Sequence, residues 1–499
     1  MEKLSGNALK ILHERYLLRN DEGQIIENQG EMFQRVAKTV ASAELEWGDK
    51  REVEKWAAVF FDMMSNLTFL PNSPTLMNAG LPKAQMSACF VLPVKDRLKS
   101  IFDTLKLTAL VHQKGGGTGF NFSQLRPEGD RLSRNGGAAS GPVSFIKLFD
   151  FATEQVKQGG RRRGANMGIL NVDHPDILAF VQTKMNGKPL QNFNLSVGIT
   201  DQFIKPLIKE GDWDLIHPTT GKQVRTLPAK FIWDAILKGA WENGNPGLLF
   251  LDTIQGDNPL LHGGSIWATN PCGEVPLMDF EFCNLGSINL SKFVSEGEMD
   301  WNALGIVTLN AVRFLDNVIS INHYPSKLIK NATLDTRKIG LGIMGWAEML
   351  IQLNIPYDTV KAVRLAEKVM QFIKEKSDRA SEDLAAKRGV FPAWGSSRFY
   401  PDRKMRNATR CSIAPTGTIS IIADTSSSIE PLFALAFQGF TDNAVSKTIN
   451  LPSSARLEDI DWIYKAAWKQ KAKGITVFRN APDQKRLLYQ GLQKACMKS

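Results

Sequence analysis

The stretch Asn270-Pro-Cys-Gly-Glu274 places an amide, a thiol and a carboxylate at alternate positions, and Cys283 follows eleven residues after its central cysteine. Because alternate residues of an extended segment point the same way, we expect these three polar side chains to lie on one side of an extended loop. There Glu274 can act as a general base, Asn270 can hydrogen-bond a developing oxygen charge, and Cys272 can be a reactive sulfur. Taken alone, the stretch is more typical of a buried cysteine on a turn beside a surface glutamate.

The composition is that of an ordinary globular protein. Of 499 residues, 43% are hydrophobic and 22% are charged, which excludes disordered, fibrous and disulfide-framework classes. The net charge of +10 fits an anionic ligand but is too small to indicate nucleic-acid binding. The N-terminal segment is charged throughout, so it lacks the apolar core of a signal peptide, and no run approaches the roughly 18 apolar residues of a membrane span. We therefore expect a cytoplasmic protein that binds neither membrane nor nucleic acid.

The cysteines and histidines argue against a structural metal site. The five cysteines are widely separated, and such thiols in a reducing compartment are buried, catalytic or redox-active. The six histidines show no HxxxH spacing, and the chain has no CxxC, so we expect no zinc site. For Cys411, in an apolar run, we expect a packed thiol.

Apolar patterning predicts an α/β protein with a parallel component. Roughly the first 80 residues read as helical, and the best later helix covers residues 362–388, with Gly389 where a C-cap is expected. Short apolar runs predict strands between the helices. These runs are residues 88–94, 168–172, 193–199, 248–251, 283–290, 413–422 and 475–478.

Glycine-rich segments indicate nucleotide binding, but not by a dinucleotide fold. Residues 340–345 match GxGxxG without an apolar strand before them, so we expect close backbone packing where a helix begins. Residues 114–119, 158–166 and 414–420 combine small residues with hydroxyl or guanidinium groups that can bind phosphate oxygens. Each segment alone is typical of a turn, but the three together favour a nucleotide ligand.

Taken in order along the chain, these motifs resemble the catalytic subunit of ribonucleotide reductase, most closely its adenosylcobalamin-dependent class II branch. The resemblance runs from about residue 30 to residue 479. It is carried by residues 72–75, 87–93, 115–119, 126–130, 136–145, 157–168, 270–274, 415–420 and 443–452.

The resemblance implies a ten-stranded α/β barrel, made of two antiparallel five-stranded halves, with a finger loop in its centre. Cys272 is expected at the tip of that loop, shielded from water so that a thiyl radical meets only substrate. The implied organisation is an N-terminal helical region over residues 1–85, a catalytic barrel over 86–480 and a C-terminal tail over 481–499.

The resemblance also implies the chemistry. Adenosylcobalamin supplies a radical that takes hydrogen from Cys272, and the thiyl abstracts the 3′-hydrogen of a ribonucleotide. Glu274 then deprotonates the 3′-hydroxyl, Asn270 hydrogen-bonds the sugar oxygens, and Cys89 protonates the departing 2′-hydroxyl. Cys89 and Cys283 match the reducing pair, which ends as a disulfide and is re-reduced by a thioredoxin-like dithiol. Cys496 is the single thiol of the tail, where a shuttle needs two.

Two groups of binding residues are carried over from the family. The residues expected to line the substrate are Ser73, Ala88, Gly117, Pro415, Thr416, Gly417, Thr418 and Ile419. Those expected to contact a deoxynucleotide or ATP effector are Asp96, Arg126, Arg161, Arg162, Arg163 and Asn166. Because effector control in the family works across a subunit interface, we expect a homodimer.

Several alternatives stay open at this point. None of the six tyrosines is adjacent to another, so the Tyr-Tyr radical entrance of class I large subunits is missing, as is the Gly-Tyr element of glycyl-radical enzymes. A class I-type large subunit that needs a separate radical-generating subunit is one alternative, and an inactive nucleotide-binding relative is another. The segment near residues 431–438 is shorter than in typical class II chains, which puts cofactor docking in question. The substrate can be a diphosphate or a triphosphate.

Overall fold

A computed structural model describes residues 2, 4–132, 136–156, 164–185, 190–260, 262–430 and 437–480. The chain divides into two compact units. Unit 1 comprises Met1–Phe120, Phe151–Met167 and Gln255–Ser446, and unit 2 comprises Asn121–Asp150, Gly168–Ile254 and Lys447–Ser499. The domain boundaries expected from the sequence do not follow these units and stay predictions.

Helices and strands alternate along most of the chain. The α-helices are α1 (Gly6–Ile11), α2 (Gln29–Ala41), α3 (Lys50–Ser65), α4 (Ser73–Asn78), α5 (Leu98–Gln113), α6 (Gly141–Gln155), α7 (Ile177–Gln182), α8 (Asp201–Ile208), α9 (Ala229–Asn243), α10 (Leu251–Gly256), α11 (Trp301–Ile321), α12 (Lys327–Thr336), α13 (Trp346–Gln352), α14 (Val360–Arg388), α15 (Gly417–Ile422) and α16 (Leu457–Lys469). The strands are β1 (Phe69–Pro71), β2 (Cys89–Val91), β3 (Gly117–Asn121), β4 (Asn166–Asn171), β5 (Phe193–Ile199), β6 (Asp212–Ile216), β7 (Gln223–Pro228), β8 (Gly247–Phe250), β9 (Ala268–Thr269), β10 (Pro276–Leu277), β11 (Phe282–Asn289), β12 (Val294–Ser295), β13 (Glu298–Met299), β14 (Ile339–Met344), β15 (Thr448–Leu451) and β16 (Gly474–Arg479). A π-helical turn covers Leu12–Tyr16, and 3-10 turns cover Ser42–Glu46, Leu290–Phe293 and Pro392–Ser396.

Ten of these strands belong to the main sheet. In unit 1, β11 pairs antiparallel with β1 and β2 and parallel with β14, and β2 pairs parallel with β3. Beyond β14 the parallel pairing continues through the bridges Leu341 to Cys411 and Ile413 to Val445. The antiparallel contact of β2 with β11 is therefore a seam between two sets of parallel strands.

Unit 2 repeats this arrangement on its own strands. There β5 pairs parallel with β8, β8 pairs antiparallel with β16, and β16 pairs parallel with β15. Trp233 of α9 packs edge-on against Tyr464 of α16 at 6.1 Å between ring centroids, and both rings are buried. A separate hairpin, β6 with β7, completes the unit.

The N-terminal helices are fixed by local sequence signals and by a shared core. Asn28 and Glu31 form a capping box that starts α2, and the apolar face of α2 is fully buried in the core cluster that also contains residues of α3 and α11. Of the helices in the described residues, α11 alone is long and apolar enough to cross a membrane. It packs on β11 and β14, and 61% of its apolar window is buried, as in a core helix.

A buried ionic network connects these helices to the strands of unit 1. Glu44, 3% exposed, accepts hydrogen bonds from Arg313 and Arg388 at 2.9 and 2.7 Å. Asp316 on α11 is fully buried, and its salt bridges are to Arg337, Arg388 and Arg406. Burial alone raises the pKa of Asp316, but these guanidinium groups outweigh it and lower that pKa to about 2.

Most of the predicted elements are confirmed. The mixed α/β class, the ten-stranded sheet and the N-terminal helical region are as expected, whereas closure of the strands into a barrel stays a prediction. The helix over residues 362–388 is α14, which begins at Val360 and ends before Gly389 with φ at 82°. The strand predicted over 413–422 is wrong, because the chain turns at Thr416 and α15 begins at Gly417.

The glycines of residues 340–345 are packing residues, as expected, but they lie within a buried strand that the sequence analysis missed. A Cβ at Gly342 would overlap the carbonyl oxygen of Ser412, so only glycine lets the backbones approach. Gly345, at φ 75°, then caps α13.

Candidate active site

A cavity of about 320 Å³ in unit 1 collects most of the predicted site residues. It is lined by seven separated segments of the chain, which include four of the five predicted catalytic residues. These are Cys89, Asn270, Cys272 and Glu274. All eight predicted substrate-binding residues also line it, namely Ser73, Ala88, Gly117, Pro415, Thr416, Gly417, Thr418 and Ile419.

The segment that carries Cys272 is the tip of a small hairpin. Strands β9 and β10 pair antiparallel, and the N–H of Gly273 donates to the carbonyl of Asn270 at 3.1 Å. The loop is therefore a tight turn, with Gly273 at φ 82°, and the expectation of an extended loop is wrong. The three polar side chains nevertheless face one cavity, because the turn wraps around it.

Two glycines of β3 make room for this hairpin, a role that the sequence analysis missed. A Cβ at Gly119 would overlap the carbonyl oxygen of Thr269, and one at Gly117 would lie 2.8 Å from the Pro271 ring. The sequence signal for this role is the run of small residues in 114–119, whose interpretation as a phosphate-contact segment does not include packing.

Asn270 connects the hairpin to the first thiol. Its Nδ2 donates to Cys89 Sγ at 3.1 Å, and its Oδ1 accepts from the N–H of Val275 at 3.0 Å. Cys89 Sγ in turn lies 3.9 Å from Glu274 Oε1. The backbone carbonyl of Glu274 accepts from the Ser412 hydroxyl at 2.9 Å, which anchors the loop.

Cys89 and Cys283 face each other directly across the seam of β2 and β11. Both are free thiols with little or no exposure, so an adjacent-strand pair, as the resemblance requires, is in place. Burial raises the pKa of both thiols well above its ordinary value, and the charge of Glu274 adds to the rise for each. Both groups are therefore protonated at neutral pH.

Cys272 differs from these two, because its side chain is exposed. The expectation that the loop tip is shielded from solvent is therefore not met, since the turn aims the thiol into the open space of the cavity. Cys411 is fully buried in the apolar core, as expected of a packed thiol.

The opposite wall of the cavity is supported by the N-terminal region. The hydroxyls of Tyr16 and Ser73 lie 2.7 Å apart, and α1 packs against α15, the helix that follows Thr416. Thr416 Oγ1 accepts from the N–H of Ser428 at 2.7 Å. Nothing in the local sequence around Tyr16 indicates this contact, which joins segments 57 residues apart.

The predicted effector residues are less uniform. Arg126 lies 3.9 Å from Asp130, on unit 2, and Asp96 is half-buried on unit 1. Asn166 is fully buried, where its Oδ1 accepts from the Thr118 hydroxyl at 2.7 Å and its Nδ2 donates to Thr153 at 2.9 Å, and its effector contact stays a prediction. Arg161, Arg162, Arg163 and Cys496 lie outside the described residues.

The reactive side chains around the cavity are thiols, a carboxylate and an amide. Among the residues that the structure describes, no group of three or more His, Cys, Asp or Glu side chains is placed to hold a metal ion. The site is instead a nucleotide-sized cavity with one exposed thiol, two facing buried thiols, a carboxylate and an amide, which defines an enzyme of thiol redox chemistry.

Comparison with known proteins shows the family. Residues 2–84 match the family described as "Ribonucleotide reductase, all-alpha domain", and residues 87–404 and 400–438 match "Ribonucleotide reductase, barrel domain". The chain belongs to the ribonucleotide reductase family, and its activity is the reduction of ribonucleotides. The resemblance inferred from the sequence motifs is thereby confirmed.

The similar proteins include the vitamin B12-dependent ribonucleoside-diphosphate reductase of Mycobacterium tuberculosis strain H37Rv, which is 45% identical over 96% of this chain and 78% of its own length. The protein of the same name from Thermoplasma acidophilum is 42% identical over 96% of this chain and 79% of its own length. The ribonucleoside-diphosphate reductase large chain of Neurospora crassa is 32% identical over 78% of this chain and 45% of its own length.

Proposed function

We propose that this chain reduces ribonucleoside diphosphates with adenosylcobalamin as its radical source. The observation that carries the proposal is the single cavity shared by Cys272, Cys89, Glu274 and Asn270, with Cys283 directly behind Cys89. Relatives named as vitamin B12-dependent ribonucleoside-diphosphate reductases, at 42 to 45% identity, support the cofactor and the substrate. A class I-type large subunit is not favoured, because the large chain of that kind is 32% identical.

The residues present fit a cofactor that generates an organic radical. Cys272 is an exposed thiol at the tip of a turn, whereas the other described thiols are buried, so it is the sulfur that an incoming radical can reach. Adenosylcobalamin, when bound, supplies the carbon-centred radical that takes a hydrogen atom from this thiol.

The chain's own residues then act on the ribose. The Cys272 sulfur abstracts the 3′-hydrogen, and Glu274 accepts the proton of the 3′-hydroxyl. Cys89 gives its proton to the departing 2′-hydroxyl, a role that suits a thiol whose pKa burial raises well above the ordinary value. Asn270, held by Val275, directs its remaining donor capacity toward the sugar oxygens.

Cys89 and Cys283 supply the two electrons of the reduction. Their sulfurs join in a bond of about 2.05 Å, which neighbouring strands allow when the cysteines are register partners. Holding the ribose against three thiols and a carboxylate is also the main source of rate, because oriented neighbours reach effective molarities of roughly 10⁵–10⁸ M.

The remaining partners follow from the family and belong to this proposal. Residues 415–419 contact the phosphates, a deoxynucleotide or ATP effector acts through Asp96 and Arg126, and a thioredoxin-like dithiol restores the cysteine pair. The active form is a homodimer in the cytoplasm.

An anaerobic assay of the purified chain with adenosylcobalamin, a ribonucleoside diphosphate and a dithiol, with no second subunit, tests the proposal. We expect 2′-deoxyribonucleotide and multiple turnovers, and the Cys89→Ser and Cys283→Ser variants should lose clean turnover. Activity only with a metal-containing partner subunit would assign a class I mechanism. No product under either condition, with nucleotide still bound, would identify an inactive relative.

A further inference from the structure

A buried ion pair lies beside the cysteine pair and has no part in the chemistry described so far. Lys338 Nζ and Glu281 Oε2 are 2.6 Å apart, and both side chains are 1% exposed. Glu281 also accepts from the Thr336 hydroxyl and from the N–H of Met278, each at 2.7 Å. Removing two charges from water costs several kcal/mol, and apolar residues of similar volume often stabilise a fold as well or better. Stability alone therefore does not explain this pair.

The strand register places Lys338 next to Cys283. β11 and β14 are parallel with Asn284 opposite Ile339, and Cys283 on β11 and Lys338 just before β14 are the residues that precede this pair. A Cβ at Gly340 would lie 3.4 Å from Cys283 Sγ. Because residues 338 and 340 share one face of their segment, the Lys338 side chain leaves the backbone on the face that Cys283 occupies.

The two thiols of the pair have different surroundings. Cys89 lines the cavity and contacts Asn270 and the Glu274 carboxylate, whereas Cys283 is fully buried behind it and does not line the cavity. A reducing thiol that enters the cavity therefore reaches the Cys89 sulfur first. The departing sulfur in that attack is Cys283.

The charged and titratable groups that act on the two thiols are few. Glu274 affects the pKa of both thiols. Cys272 affects the pKa of Cys89, and Glu281 and Lys338 affect the pKa of Cys283. Lys338 is the one cation in this set, and it opposes the effect of burial, which raises the pKa of Cys283. A leaving thiol with a lower pKa leaves faster in thiol–disulfide exchange.

We propose that Lys338, held in place by Glu281, is a positioning residue that stabilises Cys283 as the leaving thiolate when the Cys89–Cys283 disulfide is reduced. The inference rests on the proposed function, which makes these cysteines the redox pair. A thiolate of the reductant attacks Cys89 Sγ, a new S–S bond forms, the old one breaks, and its electron pair stays on Cys283 Sγ. A second reductant thiolate then attacks the reductant sulfur of the mixed disulfide and releases Cys89. Both cysteines take up protons from solvent, and the reductant leaves as a disulfide.

The test measures the two exchange steps separately in the full chain, without cofactor or substrate. Cys272→Ser and Cys496→Ser form the background, so that only the pair and buried Cys411 remain. Diamide oxidises the pair, 2-mercaptoethanol reduces it, and acid-quenched alkylation with peptide mass spectrometry follows free Cys283 and free Cys89 from pH 6.5 to 9. Rates are expressed per attacking thiolate.

We expect Lys338→Met to slow the first step, release of Cys283, about tenfold, and to change the second step, release of Cys89, less than about twofold. Lys338→Arg should restore the first step, since it keeps the charge. The double variant Glu281→Gln with Lys338→Met leaves no unpaired buried charge, so it guards against misfolding. It should slow the first step by a smaller factor, because an opposing anion is lost as well.

Three results would overturn the inference. These are an unchanged first step in both the single and the double variant, equal slowing of both steps, and failure of arginine to rescue. If diamide forms no Cys89–Cys283 disulfide in the background chain, the proposed redox pair itself is wrong. That failure is distinguishable, because it precedes any comparison of variants.

Discussion

Asn270 shows how a single side chain sets the orientation of the reacting groups. Its Oδ1 accepts from the N–H of Val275, so the amide cannot flip, and its Nδ2 must point to Cys89. One residue thereby couples the fold of the turn to the position of the Cys89 thiol.

Replacing the exposed thiol separates binding from chemistry. Cys272→Ser should abolish deoxynucleotide formation, because a serine hydroxyl does not form the required radical, while equilibrium binding of the nucleotide stays within about twofold. Cys411→Ala, a change at a buried thiol that does not line the cavity, is the matched control and should retain activity. Normal product formation by the Cys272 variant would refute the assigned role.

We expect Tyr16 to be a positioning residue for Ser73, which is a predicted substrate-binding residue on the cavity wall. Tyr16→Phe removes the hydroxyl that contacts Ser73 and leaves the ring in the core, so we expect KM for the nucleotide to rise about fivefold, corresponding to about 1 kcal/mol for one hydrogen bond, with kcat unchanged. Steady-state kinetics, which measure KM and kcat separately, check this prediction. A fall in kcat at constant KM would instead mean that the hydroxyl acts in the chemical step.

At the scale of single elements, the hairpin β9–β10 depends on the absence of side chains on β3. Gly119→Ala should displace Thr269 and with it Asn270, and we expect activity to fall at least about tenfold with at most about 3 kcal/mol lost in the free energy of unfolding. Gly395→Ala, where a Cβ meets nothing within 4 Å, is the control and should leave both quantities unchanged. Full activity of the Gly119 variant would show that the turn tolerates movement.

Some helices and strands could be predicted from the sequence alone, whereas the contacts between distant segments could not. Periodicity and capping predicted α14, and short apolar runs predicted β2 and β11 beside the site, because these signals act between residues close in the chain. The pairing of Cys89 with Cys283, the Tyr16 to Ser73 contact and the packing role of Gly117 and Gly119 join distant segments, and no local pattern encodes strand register. The spacing of Asn270, Cys272 and Glu274 indicated their chemistry, whereas the roles of Cys89 and Cys283 came from the family resemblance. The α15 error has a local cause, because a short run of apolar and small residues such as 413–422 fits a short helix as well as a strand.

For the molecule as a whole, the network around Glu44 and Asp316 makes stability depend on acid. The pKa of Asp316 lies at about 2, below its ordinary 3.8, so its contribution is present above the ordinary value and is lost as the pH falls from about 5 through 2. The loss amounts to about 2 kcal/mol. Once the carboxyl is neutral, three arginines remain buried around it.

Urea unfolding of the wild type and of Asp316→Asn between pH 7 and pH 3 measures the contribution of Asp316 to the free energy of unfolding. At pH 7 we expect the variant to be less stable by about 3–5 kcal/mol, since it leaves buried guanidinium groups unpaired. The gap between the two curves should narrow as the pH falls. Parallel curves would show that Asp316 does not titrate in this range.

The seam at which Cys89 meets Cys283 has a mechanical consequence. Although about 200 residues of chain separate them, we expect each round of catalysis to join the two in a disulfide and then to release them. In the chain-entropy account, a tether across a loop of that length removes about 5 kcal/mol of freedom from the unfolded ensemble. We therefore expect the oxidised enzyme, with the Cys89–Cys283 disulfide, to be more stable than the reduced enzyme. Its resistance to denaturant or protease then measures the fraction of the population that has not yet been re-reduced.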